Sequence, residues 1–416
     1  MPLLGGMFLN ILLLGNGFDL HHRFPTRYLD FLHTVRFLMM HEGETFDTVG
    51  SVFSHESLCV LNENIKEAYL THSSTYDSVI LDSNDIQKII ELSPENCWLK
   101  YLMNSVSKNI KWIDFEKEIA TVLSAFEHFF ASKNQLFFHE KKLRINFSSC
   151  PEDSRAHYII QQFNFFFDYE STKASRLFQL GDHTVKSQFL YENPIGSGCF
   201  FVNEEKIASQ LFDSLMDLSE MLRIYLKNFV EAPARYMCDN GIKPMCNSYP
   251  KEGHVVSLNY TDTYEKFYND FENVVAHVHG STATKIVLGI NSNERDEVGN
   301  IDTTFIGFKK YFQRVLFKTD DSFLRKLEGL RMTQKSAGEY SLYIIGHSLD
   351  VTDKEIITQL IDVSHRVTVL YHSQEAVKIY IRNLVEMYGK NGFDQIRTQK
   401  HLAFLPQAEL IWNYPE

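Results

Sequence analysis

The apolar run Ile11-Leu12-Leu13-Leu14 stops at Gly15-Asn16-Gly17, and this junction constrains the fold more than any other stretch of the chain. An apolar run without polar alternation suits a strand of a parallel sheet that is covered on both faces. A glycine-rich turn directly after such a strand lets backbone N–H groups approach a phosphate. A full dinucleotide fingerprint has a third glycine, and here Asp19 or a later residue stands in that place. Two readings therefore start level: a nucleotide-binding turn, or a tight turn that ends a core strand. Tyr28, Phe31, Leu32, Val35, Phe37, Leu38 and Met39 follow at helical spacing behind Pro25-Thr26, which marks a helix start. Strand, turn and helix in that order is the context a nucleotide-binding loop requires.

The rest of the chain decides how large a sheet this strand can join. At 416 residues there is room for two domains, or for one sheet domain with a large insertion. From about Phe46 to Pro250 strand-like alternation is scarce and apolar residues recur at helical spacing. Ile119, Val122, Leu123, Phe126 and Phe129 make one stripe; Ile207, Leu211, Leu215, Leu218, Leu222, Tyr225, Leu226 and Phe229 make a second. Asn193 to Gly198 reads as a loop, with a hairpin around it. Past Pro250, strands are predicted at His254–Leu258, Val274–His279, Ile286–Ile290, Leu342–Ile345 and Val367–Tyr371. Helices are predicted between them at Thr261–Phe271, Tyr311–Leu330, Thr352–Ile361 and Gln374–Tyr388. The expected fold is α/β: a Rossmann-like, doubly wound parallel sheet with a large, mostly helical insertion. The sheet domain spans 1–45 and 251–416, and the insertion spans 46–250.

Composition removes several function classes. A formal charge of −12 argues against nucleic-acid binding as the main activity, because that binding rests on clustered Lys and Arg. No apolar run reaches the roughly 18 residues of a membrane helix. Met1–Leu14 has no Lys or Arg before its apolar part and no small-residue cleavage site, so it reads as the first strand and not a leader. Six scattered cysteines without a Cys-x-x-Cys pair fit reduced thiols and a cytoplasmic location. There is no metal-ligand spacing, so no metal site is expected.

Polar residues follow directly on several predicted strands: Gly15-Asn16-Gly17 with Asp19, Asn259-Tyr260-Thr261-Asp262, His279-Gly280-Ser281 and Gly346-His347-Ser348. Ligands of open α/β sheets bind outside the carboxyl ends of the strands, so these segments are expected to converge. His279, neutral at cellular pH, suits a general base, and it equally suits a hydrogen-bonded structural histidine. Asp19 either meets a ribose or caps a helix. His347 is either a ligand contact or a turn residue, and His21 and His22 read as exposed loop residues. Trp112 and Asp114 read first as a hydrophobic anchor and a helix-initiating acid.

These segments together resemble the AbiH-type family of phage abortive-infection proteins, within the sirtuin-like superfamily of NAD-binding proteins and NAD hydrolases. The resemblance covers Ile11–Phe31 and His254–Asp353, with a fainter match at Trp112–Glu116. It implies that Gly15, Asn16 and Gly17 lie at the phosphates of a dinucleotide. It implies that Asn259 lies beside the nicotinamide ribose, and that His279 acts on ribose hydroxyls or water. Gly346 and Ser348 would meet the adenosine half. The chain departs from the pattern in three places. It has no four-cysteine zinc module, which favours NAD hydrolysis over deacylation. Thr261 stands where many sirtuins have an aspartate, with Asp262 one residue later. Arg23-Phe24-Pro25-Thr26 stands where many relatives have Gly before Leu-Pro-Thr.

The function the resemblance implies is an antiphage effector that hydrolyses NAD+ at the nicotinamide-ribose bond, with NAD+ as substrate and no further cofactor. A homo-oligomer is expected, and a partner ATPase or helicase of a defence operon is the other expected partner. The alternative is a non-catalytic module that senses NAD or ADP-ribose and regulates a partner protein. A nuclease lacks both a metal-carboxylate constellation and basic excess.

Overall fold

The computed structural model describes residues 9–106, 113–131, 136–139, 142–145, 151–163, 167–170, 182–192, 200–242, 253–269, 274–291, 303–334 and 340–407. The chain is mixed α/β. In chain order its strands are β1 (Leu9–Leu14), β2 (Leu136–His139), β3 (Lys142–Ile145), β4 (Phe167–Glu170), β5 (Asp182–Val185) and β6 (Leu190–Glu192). After them come β7 (Phe200–Val202), β8 (His254–Ser257), β9 (Ala276–His277), β10 (Tyr340–Ile345), β11 (Arg366–Tyr371) and β12 (Ala403–Pro406). Two compact units divide the chain: 1–90 with 219–287 and 313–416, and 91–218 with 288–312.

The first unit holds a six-stranded sheet in the order β12-β11-β10-β1-β8-β9, every pair parallel. The apolar run of β1 explains its central place. Ile11 and Leu13 face one core cluster, with Leu327, Ile357, Leu360 and Leu384 of covering helices. Leu12 and Leu14 face the other, with Phe18, Tyr264 and Tyr268. Each of these four side chains is at most 1% exposed, and each contributes about 1.5–3 kcal/mol by its burial. A polar residue at any of them would lie in a core whichever way it pointed, which is why the strand does not alternate.

Ordered by their appearance in the chain, the sheet's strands run 3-2-1-4-5-6 across it, so the winding direction reverses between β1 and β10. Leu9 pairs with Tyr340 and Leu14 with Ile345, so both strands end level. Their following turns meet there. Gly17 donates its N–H to the Gly346 carbonyl at 2.7 Å, and Gly15 donates to the Ile345 carbonyl at 2.9 Å. A Cβ on Gly15 or Gly17 would stand 2.8 Å from atoms of Gly346 or His347. Gly346 itself has φ +67°, and a Cβ there would come within 2.1 Å of Phe18 N.

Several sequence expectations hold with shifted bounds. The helix after the glycine turn is Tyr28–Met40, opened by the Arg27 N–H on Asp30 Oδ2 at 3.0 Å. The predicted Tyr311–Leu330 helix is two, Lys310–Phe317 and Asp321–Gln334, separated where Lys318 takes φ +57°. The last long helix breaks at Gly389 (φ 68°, ψ 169°), one residue past its predicted end, and resumes to Gln399. Among the described residues Ile286–Ile290 joins no sheet, and its one strand-like pairing there is a bridge from Ile290 to Lys309. Ile286, Val287 and Leu288 are nonetheless 1% exposed, so burial without a pairing partner wrote the strand-like signal. The edge strand β12 was not expected, because Ala403-Phe404-Leu405-Pro406 is short and carries a proline.

The second unit contains the helices Cys97–Val106, Phe115–Ala131 and Pro151–Gln162 and part of the helix Glu204–Leu226. Its strands form an antiparallel sheet β2-β3-β5-β4 and the pair β6-β7. The hairpin expected around Asn193–Gly198 is that pair; its loop and Trp112 lie outside the described residues. Trp98 is fully buried, packs edge-on to Phe163 at 5.5 Å and donates its indole N–H to the Leu211 carbonyl at 2.8 Å. Asp114 starts the helix Phe115–Ala131, accepting from Glu116 N at 3.0 Å and Lys117 N at 3.2 Å. Lys310, 2% exposed, is neutralised by Glu116 at 2.7 Å.

Gly241 has nearly the same φ as Gly346 (+66°) but nothing near the place of a Cβ, so the two separate backbone strain from packing. Gly241→Ala should cost about 1–2 kcal/mol of left-handed strain. Gly346→Ala should lose at least a further ~1–3 kcal/mol to overpacking. Urea denaturation midpoints measure both, and equal losses would show that the turn contact is not tightly packed.

Candidate functional site

The carboxyl ends of β1, β8, β9 and β10 bring the predicted segments together around the reversal of the sheet. This is the place where open α/β sheets leave a crevice for a ligand. Beside the backbone bonds that join the turns after β1 and β10, side-chain hydrogen bonds link the other segments. Asn259, 7% exposed, donates its amide Nδ2 to the Gly15 carbonyl at 3.0 Å and so ties the turn after β8 to the turn after β1. Its own backbone is held by Ser257 Oγ, which accepts from Asn259 N at 3.1 Å. Asn16 Nδ2 donates to the Thr26 carbonyl at 3.3 Å, fastening the glycine turn to the entrance of the next helix.

The glycine turn spends three of its donors inside the chain. The N–H groups of Gly15, Gly17 and Phe18 go to the carbonyls of Ile345, Gly346 and Gly15. The missing Cβ atoms of Gly15 and Gly17 are matched by the backbone of Gly346–His347. Gly346 thus sits on the glycine turn itself, while Ser348 is exposed and its carbonyl accepts from Asn383 Nδ2 at 3.1 Å.

Asp19 lies in the one-turn helix Gly17–His21 and is 1% exposed. It caps no helix with its side chain. Its Oδ2 accepts from Thr261 Oγ1 at 2.7 Å, and its Oδ1 is buried without a hydrogen-bond partner. Thr261, where the resemblance would place an aspartate, therefore serves as donor to an aspartate of another segment. Burial lifts the Asp19 carboxyl to about 6 against the pull of the Thr261 hydroxyl. A buried carboxyl that far up is a common mark of functional sites, and of structural networks as well.

His279 stands just beyond β9 and is 4% exposed. Its Nε2 lies 2.9 Å from Asp353 Oδ1, and His347 Nε2 lies 3.2 Å from Asp353 Oδ2. His347 Nδ1 accepts the Leu349 N–H at 2.9 Å, which places the His347 proton on Nε2, toward the carboxylate. One carboxylate thus joins two imidazoles from different strand ends. Asp353 precedes the helix Lys354–Val363 and lies 74 positions from His279, a separation at which no spacing rule could have paired them.

A second polar group lies beside the first. His277 bridges the Asn259 carbonyl (Nδ1, 3.0 Å) and Glu265 Oε1 (Nε2, 2.6 Å). Burial opposes charge on His277, but Glu265 outweighs it and the imidazole titrates above its ordinary value. Glu231, in the π-helical turn Lys227–Glu231, accepts from Asp262 N at 3.0 Å and Thr282 Oγ1 at 2.5 Å. Burial, aided by the neighbouring Asp262 charge, raises its carboxyl to about 7. Asp262 carries an ion pair to Lys266 at 3.4 Å. Neither Asp353 nor Glu231 was singled out by sequence, since each acquires its surroundings only through the fold.

His22 corrects an expectation. It is 2% exposed, stacked near-parallel with Phe24 and Phe267, and hydrogen-bonded to the Phe18 carbonyl at 2.8 Å and Tyr268 Oη at 2.6 Å. Arg23 takes φ +61° directly after it, and that turn directs the ring inward. Burial holds the imidazole down at about 4, so it is a neutral core residue. Among the described residues, no group of three or more His, Cys, Asp or Glu is arranged to hold a metal ion.

The family described as Bacteriophage abortive infection AbiH matches the chain over residues 11–372, which takes in every residue of this site. No curated protein and no solved structure matches it.

Asp19 gives a stability test with a definite sign. Its carboxyl is raised from 3.8 to about 6 in the fold, so the folded state holds the proton that the unfolded chain releases between those values. The Asp19 contribution to wild-type stability should therefore fall as pH rises from about 4 to about 6. Asp19→Asn has no such proton, and its stability relative to wild type should improve by up to roughly 3 kcal/mol across that range. Denaturation at pH 4, 5, 6 and 7 measures the difference; a constant difference would remove the buried-acid assignment.

Proposed function

The chain belongs to the AbiH family of bacteriophage abortive-infection proteins, which implies a role in defence against phage, and from that premise we propose that it acts by hydrolysing NAD+ at the nicotinamide-ribose bond. The observation that carries the reading is the His279–Asp353 pair at the carboxyl edge of a parallel sheet, beside its reversal point. The strand order 3-2-1-4-5-6 is that of the Rossmann-like doubly wound fold, which binds dinucleotides across this crevice.

Hydrolysis breaks the bond between the nicotinamide nitrogen and C1′ of the ribose. Nicotinamide leaves as a neutral molecule with the bonding electrons, and positive charge builds on the ribose, as in glycoside cleavage. Water then forms the new bond to C1′ and gives up a proton, so the products are nicotinamide, ADP-ribose and one H+. Asp353, as a carboxylate, accepts only; the His279 proton therefore sits on Nε2, and Nδ1 carries the lone pair that takes the proton from water. The same carboxylate stabilises the imidazolium that results, the logic of a triad's acidic member. Asn259 holds the turn after β1 by one amide proton, so it positions the dinucleotide edge as well as facing the ribose.

A second reading has its own support. Asn259 is committed to Gly15, the Gly15 and Gly17 N–H groups are used internally, and His279 is 4% exposed. A site so closed also suits a module that senses NAD or ADP-ribose and regulates a partner without chemistry.

Nicotinamide release from NAD+ by the full chain, at several protein concentrations so that any oligomer forms, separates the readings. His279→Ala and Asp353→Asn should lower turnover by about 10²–10⁴-fold in protein that still unfolds cooperatively. Asn259→Ala should lower both turnover and melting temperature, because it also releases the Gly15 carbonyl. Thermal stabilisation by NAD+ without release would favour the sensing module, and undiminished release by His279→Ala would remove His279 from the reaction.

A further inference from the structure

Asp353 meets two imidazoles, and the hydrolytic reading uses only one. We propose that His347 is a positioning residue: its Nε2–H holds Asp353 between the two rings and limits how strongly that carboxylate draws a proton onto His279. The inference deepens the hydrolytic reading and rests on it for its catalytic meaning. The coupling itself is a property of the folded chain and is testable without substrate.

Geometry makes the case. His347 is 8% exposed and bonded at both nitrogens: Nδ1 to the Leu349 N–H at 2.9 Å, Nε2 to Asp353 Oδ2 at 3.2 Å. The loop that presents it is built at a conformational cost. Gly346 has φ +67° and Leu349, a side-chain-bearing residue, has φ +56°. Residues held in that region persist where surrounding contacts over-determine them. Here those contacts are Gly346 against Gly17 and Phe18, Asn383 Nδ2 on the Ser348 carbonyl, and the Leu349 N–H on His347. The outcome of that arrangement is one imidazole N–H aimed at the second oxygen of the carboxylate that holds His279.

Physically, a carboxylate that accepts one hydrogen bond on each oxygen spreads its charge over both donors. Remove one donor and more of that charge is left to stabilise the other imidazolium. His279 then holds its proton to higher pH and is a poorer base at neutrality. Three titratable groups close by in the chain have partners of their own. Glu355, on the helix that Asp353 precedes, pairs with Arg314 at 2.6 Å. Asp350 accepts from Thr352 N at 3.0 Å, and His277, two residues before His279, is engaged by Glu265 at 2.6 Å.

Two substitutions divide the two nitrogens. His347→Asn keeps an acceptor where Nδ1 was, for the Leu349 N–H, and lacks a donor that reaches Asp353. His347→Gln places an amide donor near the position of Nε2 and gives up the Leu349 contact. Long-range 15N–1H NMR titration of the His279 ring in the full-length chain reads the result directly, with the pH profile of kcat/KM for NAD+ as a second readout. The Asn variant should raise the His279 midpoint by about 0.5–1 pH unit and move the acidic limb of the profile with it. The Gln variant should return both toward wild type. Identical His279 titration in all three proteins overturns the proposal and assigns His347 to the loop alone. Shifted titration without any NAD+ turnover leaves the coupling standing and removes the hydrolytic reading. Should the Asn variant not fold, wild type alone decides: a His279 ring coupled through Asp353 to a second imidazole titrates in two steps, and a single step overturns the coupling.

Discussion

The hydrogen bond from Gly17 N–H to the Gly346 carbonyl closes the place where the sheet changes direction, and the rest of the site is built outward from it. Two loops from adjacent parallel strands approach there until neither could carry a Cβ on its contact residues. Such an approach is available only to glycine, which has no side chain to exclude and no penalty at positive φ. Once the loops after β1 and β10 are joined, the segment that follows Gly346 has little freedom. It delivers His347 toward Asp353, and Asp353 toward His279. Asn259 joins the third loop to the same point through the Gly15 carbonyl. The site is therefore a ring of loops held by hydrogen bonds and not a rigid cup of helices.

Burial sets the chemistry of this ring. Asp19 and Glu231 carry carboxyl groups raised by desolvation, and His22 an imidazole lowered by it. A buried acid costs less when it is protonated or hydrogen-bonded, and each of these has at least one donor: Thr261 for Asp19, Thr282 and the Asp262 N–H for Glu231. Asp353 differs in having two imidazole partners, one on each oxygen, which keeps its charge satisfied deep in the fold. That difference sets it apart as a group able to hold a base in one orientation, whereas Asp19 braces two loops.

Much of the sheet was legible because parallel strands write a plain signal. β1, β8, β10 and β11 are apolar runs bounded by polar residues, and burial on both faces demands nothing else of them. Ile286–Ile290 has the same signal for a different cause, since a buried extended segment needs apolar side chains whether or not a neighbour pairs with it. The helix at Tyr311 was read through its break because Lys318 adopts a positive φ without being glycine or asparagine. His22 was read as exposed because a polar side chain in a loop usually is; its burial depends on Phe24, Phe267 and Tyr268, the last two more than 240 residues away.

By itself the sequence determined that a buried parallel strand ends in a glycine turn, that polar residues follow several later strands, and that the chain has the marks of the AbiH family. These are local facts, written in runs of a few residues by burial and by the special backbone freedom of glycine. What those residues touch follows from the folded arrangement alone. It matched the glycine turn to Gly346, turned Thr261 toward Asp19, and set Asp353 between His279 and His347. The physical reason is that a hydrogen bond depends on angstroms in space, and residues dozens to hundreds of positions apart acquire that proximity only when the sheet brings their strand ends level.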